Sequence, residues 1–372
     1  MSSLLKDLYT TGFIKQFATT LSEVVPGANV EEFIKNVFDK DWKHKELKQR
    51  MRHISSALKL QLSPDYKMAS KQIMELIAKL QSKGMHEFSL EFMFLPDFIE
   101  QFGIHDFNTS VKAMERITVF SSCEFAVRPF LIHYPNPMLE QMLQWSLNKN
   151  EKVRRLASEG SRPRLPWALG VPYLKKDPTL LIPILDHLKS DPSETVRRSV
   201  ANSINDISKD HPKIALQIIK NWKGISSETD SLIKHASRTL LKQGHPDILK
   251  YYALHKSEHF KLTQFNLKRP KIKIGEDLEF KITIDNKSQK SSALRLEYGI
   301  YYLLKNGQHS RKVFKISERD IPGNSSLEIT RKQKFKPITT RVFYPGEHKI
   351  SIIVNGKEFG EKGFWRCRLV GL

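Results

Sequence analysis

Three stretches decide the fold: VRRLASEG from Val153, VRRSVANSINDIS from Val196 and IKHASRTLLKQG from Ile233. Each opens on an apolar residue followed by basic or imidazole side chains, and each keeps its apolar residues at helical spacing. In the second, Val196, Val200, Ile204 and Ile207 fall on one face, the pattern of a helix with one buried side. Xaa-Pro pairs punctuate the same region at Asn136-Pro137, Asp177-Pro178, Asp191-Pro192, His211-Pro212 and His245-Pro246. Proline suits the first helical position, where its missing N–H would have no intrahelical partner anyway. Pro178, Pro212 and Pro246 stand 34 residues apart each time, and DPSE from Asp191 to Glu194 predicts a capping box.

A period of roughly 34–43 residues, with two helices per unit, predicts a HEAT-like α-solenoid. MRHISSALKLQL from Met51 and VKAMERITVF from Val111 read as weaker, earlier copies. The repeat register also assigns faces. Arg198, Asn202 and Asp206 lie opposite the apolar stripe; Arg155 and Glu159 take the matching places one repeat earlier, and His235 and Thr239 one repeat later. Stacked helix pairs would gather these columns on one surface, a basic row with isolated carboxylates inside it. Such a row suits a polyanionic substrate, although a solvated polar face would carry the same residue types.

From Pro270 the periodicity changes from helical to alternating. PKIKI, DLEFKITID, LRLEYGIYYLL, KVFKIS, SLEITRKQKF, HKISIIV and KGFWRCRL give seven strand candidates, and Asn306-Gly307 and Asn355-Gly356 predict hairpin turns. Short antiparallel strands in this number predict an immunoglobulin-like sandwich, without the Cys…Trp…Cys spacing of antibody domains. The fold expected is therefore mainly α: a HEAT-like α-solenoid over 1–260, followed by an all-β immunoglobulin-like sandwich over 262–372.

The charge follows the same division. The chain carries a net +21; residues 261–372 hold 24 Lys+Arg against 11 Asp+Glu, and residues 1–260 hold 37 against 29. An excess of that size points to a polyanion, with nucleic acid first and an anionic membrane surface second. No run approaches the roughly 18 apolar residues of a membrane span. The opening MSSLLKDLYTTGFIKQF lacks the order of a secretory signal. Cys123 and Cys367 are the two cysteines, too few for a disulfide framework, and they fit a reducing, cytoplasmic compartment.

The segment richest in chemistry is ASEGSRPRLPWA, from Ala157 to Ala168. A helix bearing Glu159 ends at Gly160, and a loop follows with Arg162 and Arg164 beside prolines, then Trp167. Rigid Arg-Pro units lose little entropy on docking, and a guanidinium pairs phosphate oxygens bidentately. An adjacent Trp can pack on a sugar or a base.

ASEGSRPRLPWA, with VRRSVANSINDISKDHP and IKHASRTLLKQGHPDIL downstream, resembles the HEAT-like-repeat DNA alkylation-repair glycosylases, specifically the AlkC branch. The resemblance covers essentially all of residues 1–260, and some members of that branch carry an immunoglobulin-like domain after it. It implies a monofunctional enzyme of base excision repair that hydrolyses the N-glycosidic bond of cationic N3-alkylated bases, N3-methyladenine and N3-methylcytosine. It implies double-stranded alkylated DNA as partner, no metal and no other cofactor, no membrane, a monomer, and the bacterial cytosol or nucleoid as location. Position by position, it places Glu124 (in SSCEFAVRPF), Glu159, Trp167 and Asp206 in the catalytic set. The chemistry of the basic row and the loop adds the expectation that Arg155, Arg162, Arg164, Arg198 and His235 hold backbone phosphates.

The residue types agree with that chemistry. N3-alkylation gives the base a positive charge, so it leaves readily while the sugar acquires oxocarbenium character. A carboxylate beside C1′ stabilises that cation and can orient the attacking water. A Trp face favours a cationic sugar or base. Glu124 could instead pair with Arg128, four positions on. The glycine geometries of nucleotide-binding loops and serine hydrolases do not occur, nor does H-E-x-x-H. The competing reading is a non-catalytic HEAT-repeat DNA-binding or adaptor protein, in which Glu159 and Asp206 would have no work within a basic row.

Overall fold

The structure, a computed structural model, describes residues 5–85, 90–338 and 341–367. The chain divides into two compact units, Met1–Ala236 and Ser237–Leu372. The first is helical among its described residues. Several helices begin on a side chain that accepts a first-turn N–H: Thr10 from Phe13, Asn29 from Glu32, Asp65 from Met68, Asp106 from Thr109 and Asn150 from Lys152. Such caps satisfy donors that no helix can satisfy internally, each contributing roughly 1 kcal/mol.

The helix Glu194–Asp210 organises the end of this unit that matters for function. It packs against Glu151–Gly160, Pro212–Trp222 and Ser227–Ala236. Val196, Val200, Ile204 and Ile207 are buried as the stripe predicts. Each such side chain contributes about 1.5–3 kcal/mol relative to exposure. Ser158 donates to Ser199 at 2.7 Å, tying two neighbouring helices through their polar edges. Gly160 allows a close approach here, since a Cβ at that position would stand 2.6 Å from Val127 Cγ2.

Local details depart from the sequence expectation. The capping box at Asp191–Glu194 does not form: Arg154 takes the Asp191 carboxylate at 2.6 and 3.0 Å, and the helix starts at Glu194 with Ser193 as its cap. The helix expected after Asn136 begins two residues earlier, at Pro135. IKHASRTLLKQG is not one helix but two, Ser227–Ala236 and Arg238–Gln243, interrupted at Ser237.

The second unit therefore opens with two short helices, Arg238–Gln243 and Pro246–Tyr251, joined by Gly244 at φ 69°. Eight strands follow among the described residues: β1 Phe260–Leu267, β2 Lys271–Ile272, β3 Asp277–Asn286, β4 Ser292–Leu303, β5 His309–Ile321, β6 Ser326–Lys334, β7 Gly346–Val354 and β8 Lys357–Arg366. They form a three-stranded sheet, β1-β3-β6, and a five-stranded sheet, β2-β8-β7-β4-β5. All pairings are antiparallel except β2 with β8. The core includes Phe280, Ile282 and Ile284 of β3, Leu294, Leu296 and Ile300 of β4, and Ile350 and Ile352 of β7. The β7–β8 turn is Asn355-Gly356, with φ 49° and 78°, the left-handed pair a tight hairpin requires.

β4 is buried on both faces, because Arg295 and Glu297 on its second face are covered as well. Arg295 donates to Glu297 at 2.6 Å and to Glu318 at 2.8 Å. Burial lowers the Lys242 pKa, and Glu297 opposes that shift, which places this helix residue beside the same face. A Cβ on Gly244 would meet the Gly356 carbonyl at 2.8 Å, so the helix pair sits hard against the β7–β8 turn. The expected strand KGFWRCRL runs to Arg366 and is preceded by Lys357–Glu361; its Arg368 and Leu369 lie outside the described residues.

Candidate functional site

The loop after Gly160 is held from beneath by one guanidinium. Arg128, fully buried, donates to the carbonyls of Gly160 (2.8 Å), Arg162 (2.7 Å) and Leu169 (2.8 Å). It thereby pins both ends of the segment carrying the Arg-Pro pairs and Trp167. Burial lowers the Arg128 pKa to about 10, which leaves it cationic at neutral pH. It does not pair with Glu124. That carboxylate accepts instead from both terminal nitrogens of Arg155 at 3.1 Å and from the Ser122 hydroxyl at 3.1 Å.

Glu159 and Asp206 meet on Arg162. Its Nη1 donates to Glu159 Oε1 at 2.5 Å and its Nε to Asp206 Oδ2 at 2.9 Å, while Lys209 donates to Asp206 Oδ1 at 2.9 Å. Burial works against the Arg162 charge, but Glu159 and Asp206 outweigh it and hold the guanidinium above its usual pKa. Glu159 is 6% exposed, Asp206 1% and Arg162 7%. The expectation that Arg162 faces phosphate is thus corrected: the side chain turns inward, because two buried carboxylates need a shared counter-charge. Arg164 remains half-exposed and forms a bidentate pair with Asp210 at 2.6 and 2.9 Å.

Beside this pair opens a cavity of about 320 Å³. Its apolar walls include Met51, Met93, Pro96, Phe125, Leu165 and Trp167, and its carboxylates are Asp97, Glu100, Glu124 and Glu159. Among the described residues, Arg162 is its one basic lining side chain. Trp167 is 66% exposed and adopts φ 65°, a left-handed conformation that costs a non-glycine residue roughly 1–2 kcal/mol. Lys48 donates to its carbonyl at 2.9 Å, which helps hold the strained turn.

The predicted residues therefore fall into three groups. Glu124, Glu159, Arg162 and Trp167 line one cavity; Arg155 reaches it through Glu124, and Asp206 through Arg162. Arg198 and His235 line a separate open groove of about 490 Å³ with Arg197, Ser227 and Ser231. Arg164 borders neither cavity.

Sequence reasoning missed Asp97 and Glu100. They stand three residues apart in the helix Phe94–Phe102, apolar but for these two acids and Gln101. That spacing, acids on one face of an apolar run, was the available signal. Burial raises the pKa of both, and the proximity of Asp97 raises Glu100 further. Among the described residues no group of three or more His, Cys, Asp or Glu could hold a metal ion, and no helix is long and apolar enough to cross a membrane.

Two family models match the chain: the DNA alkylation repair enzyme family over residues 43–244, and the C-terminal Ig-like domain of the uncharacterised protein YhaZ over 261–365. The uncharacterized protein YhaZ of Bacillus subtilis (strain 168) is 40% identical over 363 residues, 98% of this chain and 99% of that protein. Among solved structures, the Pseudomonas fluorescens alkylpurine DNA glycosylase AlkC, bound to DNA containing an abasic site analog, superposes with a TM-score of 0.90. It is 33% identical, and the match covers 98% of this chain and 99% of that one.

Proposed function

Because the chain belongs to the DNA alkylation repair enzyme family, we propose that it is a DNA glycosylase. Its substrates on this reading are cationic N3-alkylated bases, N3-methyladenine and N3-methylcytosine, in double-stranded DNA. Its helical segment is read as a HEAT-like array that carries the chemistry, and its strand-rich segment as added grip on the duplex. One observation carries the reading: a cavity with four carboxylates, one arginine and an exposed tryptophan, beside a buried Glu159–Arg162–Asp206 triad.

A cationic base already carries the charge that makes it a good leaving group. Cleavage of the C1′–N bond returns the electron pair to the base, which departs neutral, and leaves positive charge on the sugar. Glu159, which lines the cavity, stabilises that charge and takes a proton from the water that adds to C1′. Asp206 acts through Arg162, fixing the guanidinium that in turn orients Glu159. Glu124, held by Arg155, faces the base, and Trp167 offers a π-face to the cationic ring or sugar. Arg198 and His235, with Arg197 beside them, offer an open groove for phosphates away from the reacting atoms. Arg164 belongs to the duplex-facing set once Asp210 releases it.

The test is to incubate the protein with N3-methyladenine, N3-methylcytosine and N7-methylguanine duplexes and to quantify free bases and strand breaks separately. The expected products are free N3-alkylated base and intact abasic DNA. Failure to release N3-methyladenine would sink the reading, as would undiminished release by Glu159→Gln combined with Asp206→Asn.

A further inference from the structure

The cavity beside Trp167 has an acidic wall that the chemistry above does not use. The helix Phe94–Phe102 buries Phe94, Leu95, Phe98 and Ile99, yet it also presents Asp97, 3% exposed, and Glu100 to the cavity. A single nitrogen serves both: Arg52 Nη2 lies 2.5 Å from Glu100 Oε1 and 3.3 Å from Asp97 Oδ1, and Gln101 donates to Asp97 Oδ2 at 2.6 Å. Arg52 is itself half-exposed, so the one guanidinium paired with both carboxylates is partly solvated, and Lys48 acts on them from farther off.

Packing gives no reason for this arrangement. Buried ion pairs are often no more stabilising than apolar residues of similar volume, and here one guanidinium is divided between two carboxylates, with Lys48 acting on them without a direct pair. Asp97, Glu100 and Met51 also line a second cavity with Lys48, Arg52 and His53, so they form the wall between two open spaces. On the Trp167 side the same wall faces Phe125, whose ring already carries Lys48 Nζ 5.2 Å from its centroid, and the exposed π-surface of Trp167. A planar cation placed there meets negative charge and the Trp167 face together, and it favours the ionised forms that burial opposes. A neutral ring of the same shape displaces water from the carboxylates and returns nothing.

We infer that Asp97 and Glu100 determine specificity, selecting a cationic ring over a neutral ring of the same shape. The inference rests on the base-excision reading and names the side chains that give it charge discrimination. It is tested with the full chain by fluorescence anisotropy. The probes are two duplexes that differ at one position: N1-methyladenine, a stable cationic base, or unmethylated adenine, each opposite cytosine. The wild-type protein is expected to bind the methylated duplex more tightly. Asp97→Asn and Glu100→Gln are each expected to lower that preference severalfold, and together about tenfold. Glu100→Asp, which keeps the charge, is expected to retain most of it. Affinity for the unmethylated duplex stays unchanged, whereas a purely structural role would weaken both duplexes alike. No preference in the wild type, a preference unmoved by both neutral variants, or equal weakening on both duplexes overturns the inference. The same preparations are assayed for N3-methyladenine release: its absence removes the excision reading, while intact release with an unmoved preference removes the acidic wall alone.

Discussion

Replacing Arg162 with methionine tests whether one guanidinium holds the site together. The substitution keeps much of the side-chain volume but leaves Glu159 and Asp206, 6% and 1% exposed, without the cation they share. Removing one partner of a buried ion pair costs about 3–5 kcal/mol, because the remaining charge stays desolvated. Lys209 stays on Asp206 at 2.9 Å, and with its side chain 38% exposed it offsets part of that loss, so the lower end of the range is expected. Each kcal/mol moves the midpoint of a unit this size by about 2–4 °C, so a fall of roughly 6–12 °C should appear in helix-sensitive circular dichroism melts. The decisive comparison adds Glu159→Gln and Asp206→Asn to Arg162→Met. With the unpaired charges gone, at least half of the lost stability should return, although activity does not. A single variant melting within about 2 °C of wild type, or a triple variant no more stable than the single one, refutes the shared counter-charge.

Three further outcomes follow from the same geometry. The folded-state pKa of Asp97 is raised, so its carboxyl favours the folded state below the unfolded pKa, and that contribution is lost as pH rises through the folded value. Asp97→Asn should therefore gain in melting temperature over wild type at pH 8 and lose that advantage at pH 4; the reverse trend would show that Arg52 more than compensates burial. Trp167→Gly relieves the φ 65° strain and removes a 66% exposed side chain, so stability should hold within about 1 kcal/mol while base release falls at least tenfold. Equal loss of stability would mark Trp167 as structural. Arg198→Ala should weaken duplex binding irrespective of sequence and reduce the slope of log affinity against log salt by about one, leaving the rate of bound substrate unchanged; an unchanged slope would remove the groove from the DNA path.

How far the sequence could be read depended on whether each signal was local. The Asn355-Gly356 turn is a two-residue signal and stands where it was expected. The stripe from Val196 to Ile207 needs one helix alone and is buried throughout. β1 was missed because its register shifts between Leu262 and Gln264, a bulge that puts Phe260 and Phe265 out of simple alternation. Arg162 was legible as special but not as buried, since one of its partners, Asp206, lies 44 residues away. Asp191 looked like a helix cap until Arg154, 37 residues distant, claimed its carboxylate. Asp97 and Glu100 were not singled out, because nothing in the local text says that a cavity faces them.

The break at Ser237 changes where the protein can be cut. A fragment ending at residue 260, the place where helix text gives way to strand text, would carry Arg238–Gln243 and Pro246–Tyr251 away from the sheet they cover. Leu249, buried where its methyl groups meet the Gly356 turn, would then lose that cover on the helical fragment. The matching strand fragment would expose Arg295 and Glu297 on a face meant to be dry. Any dissection, fusion or domain exchange should therefore place its seam before Ser237, with the two helices travelling as the lid of the β-sandwich.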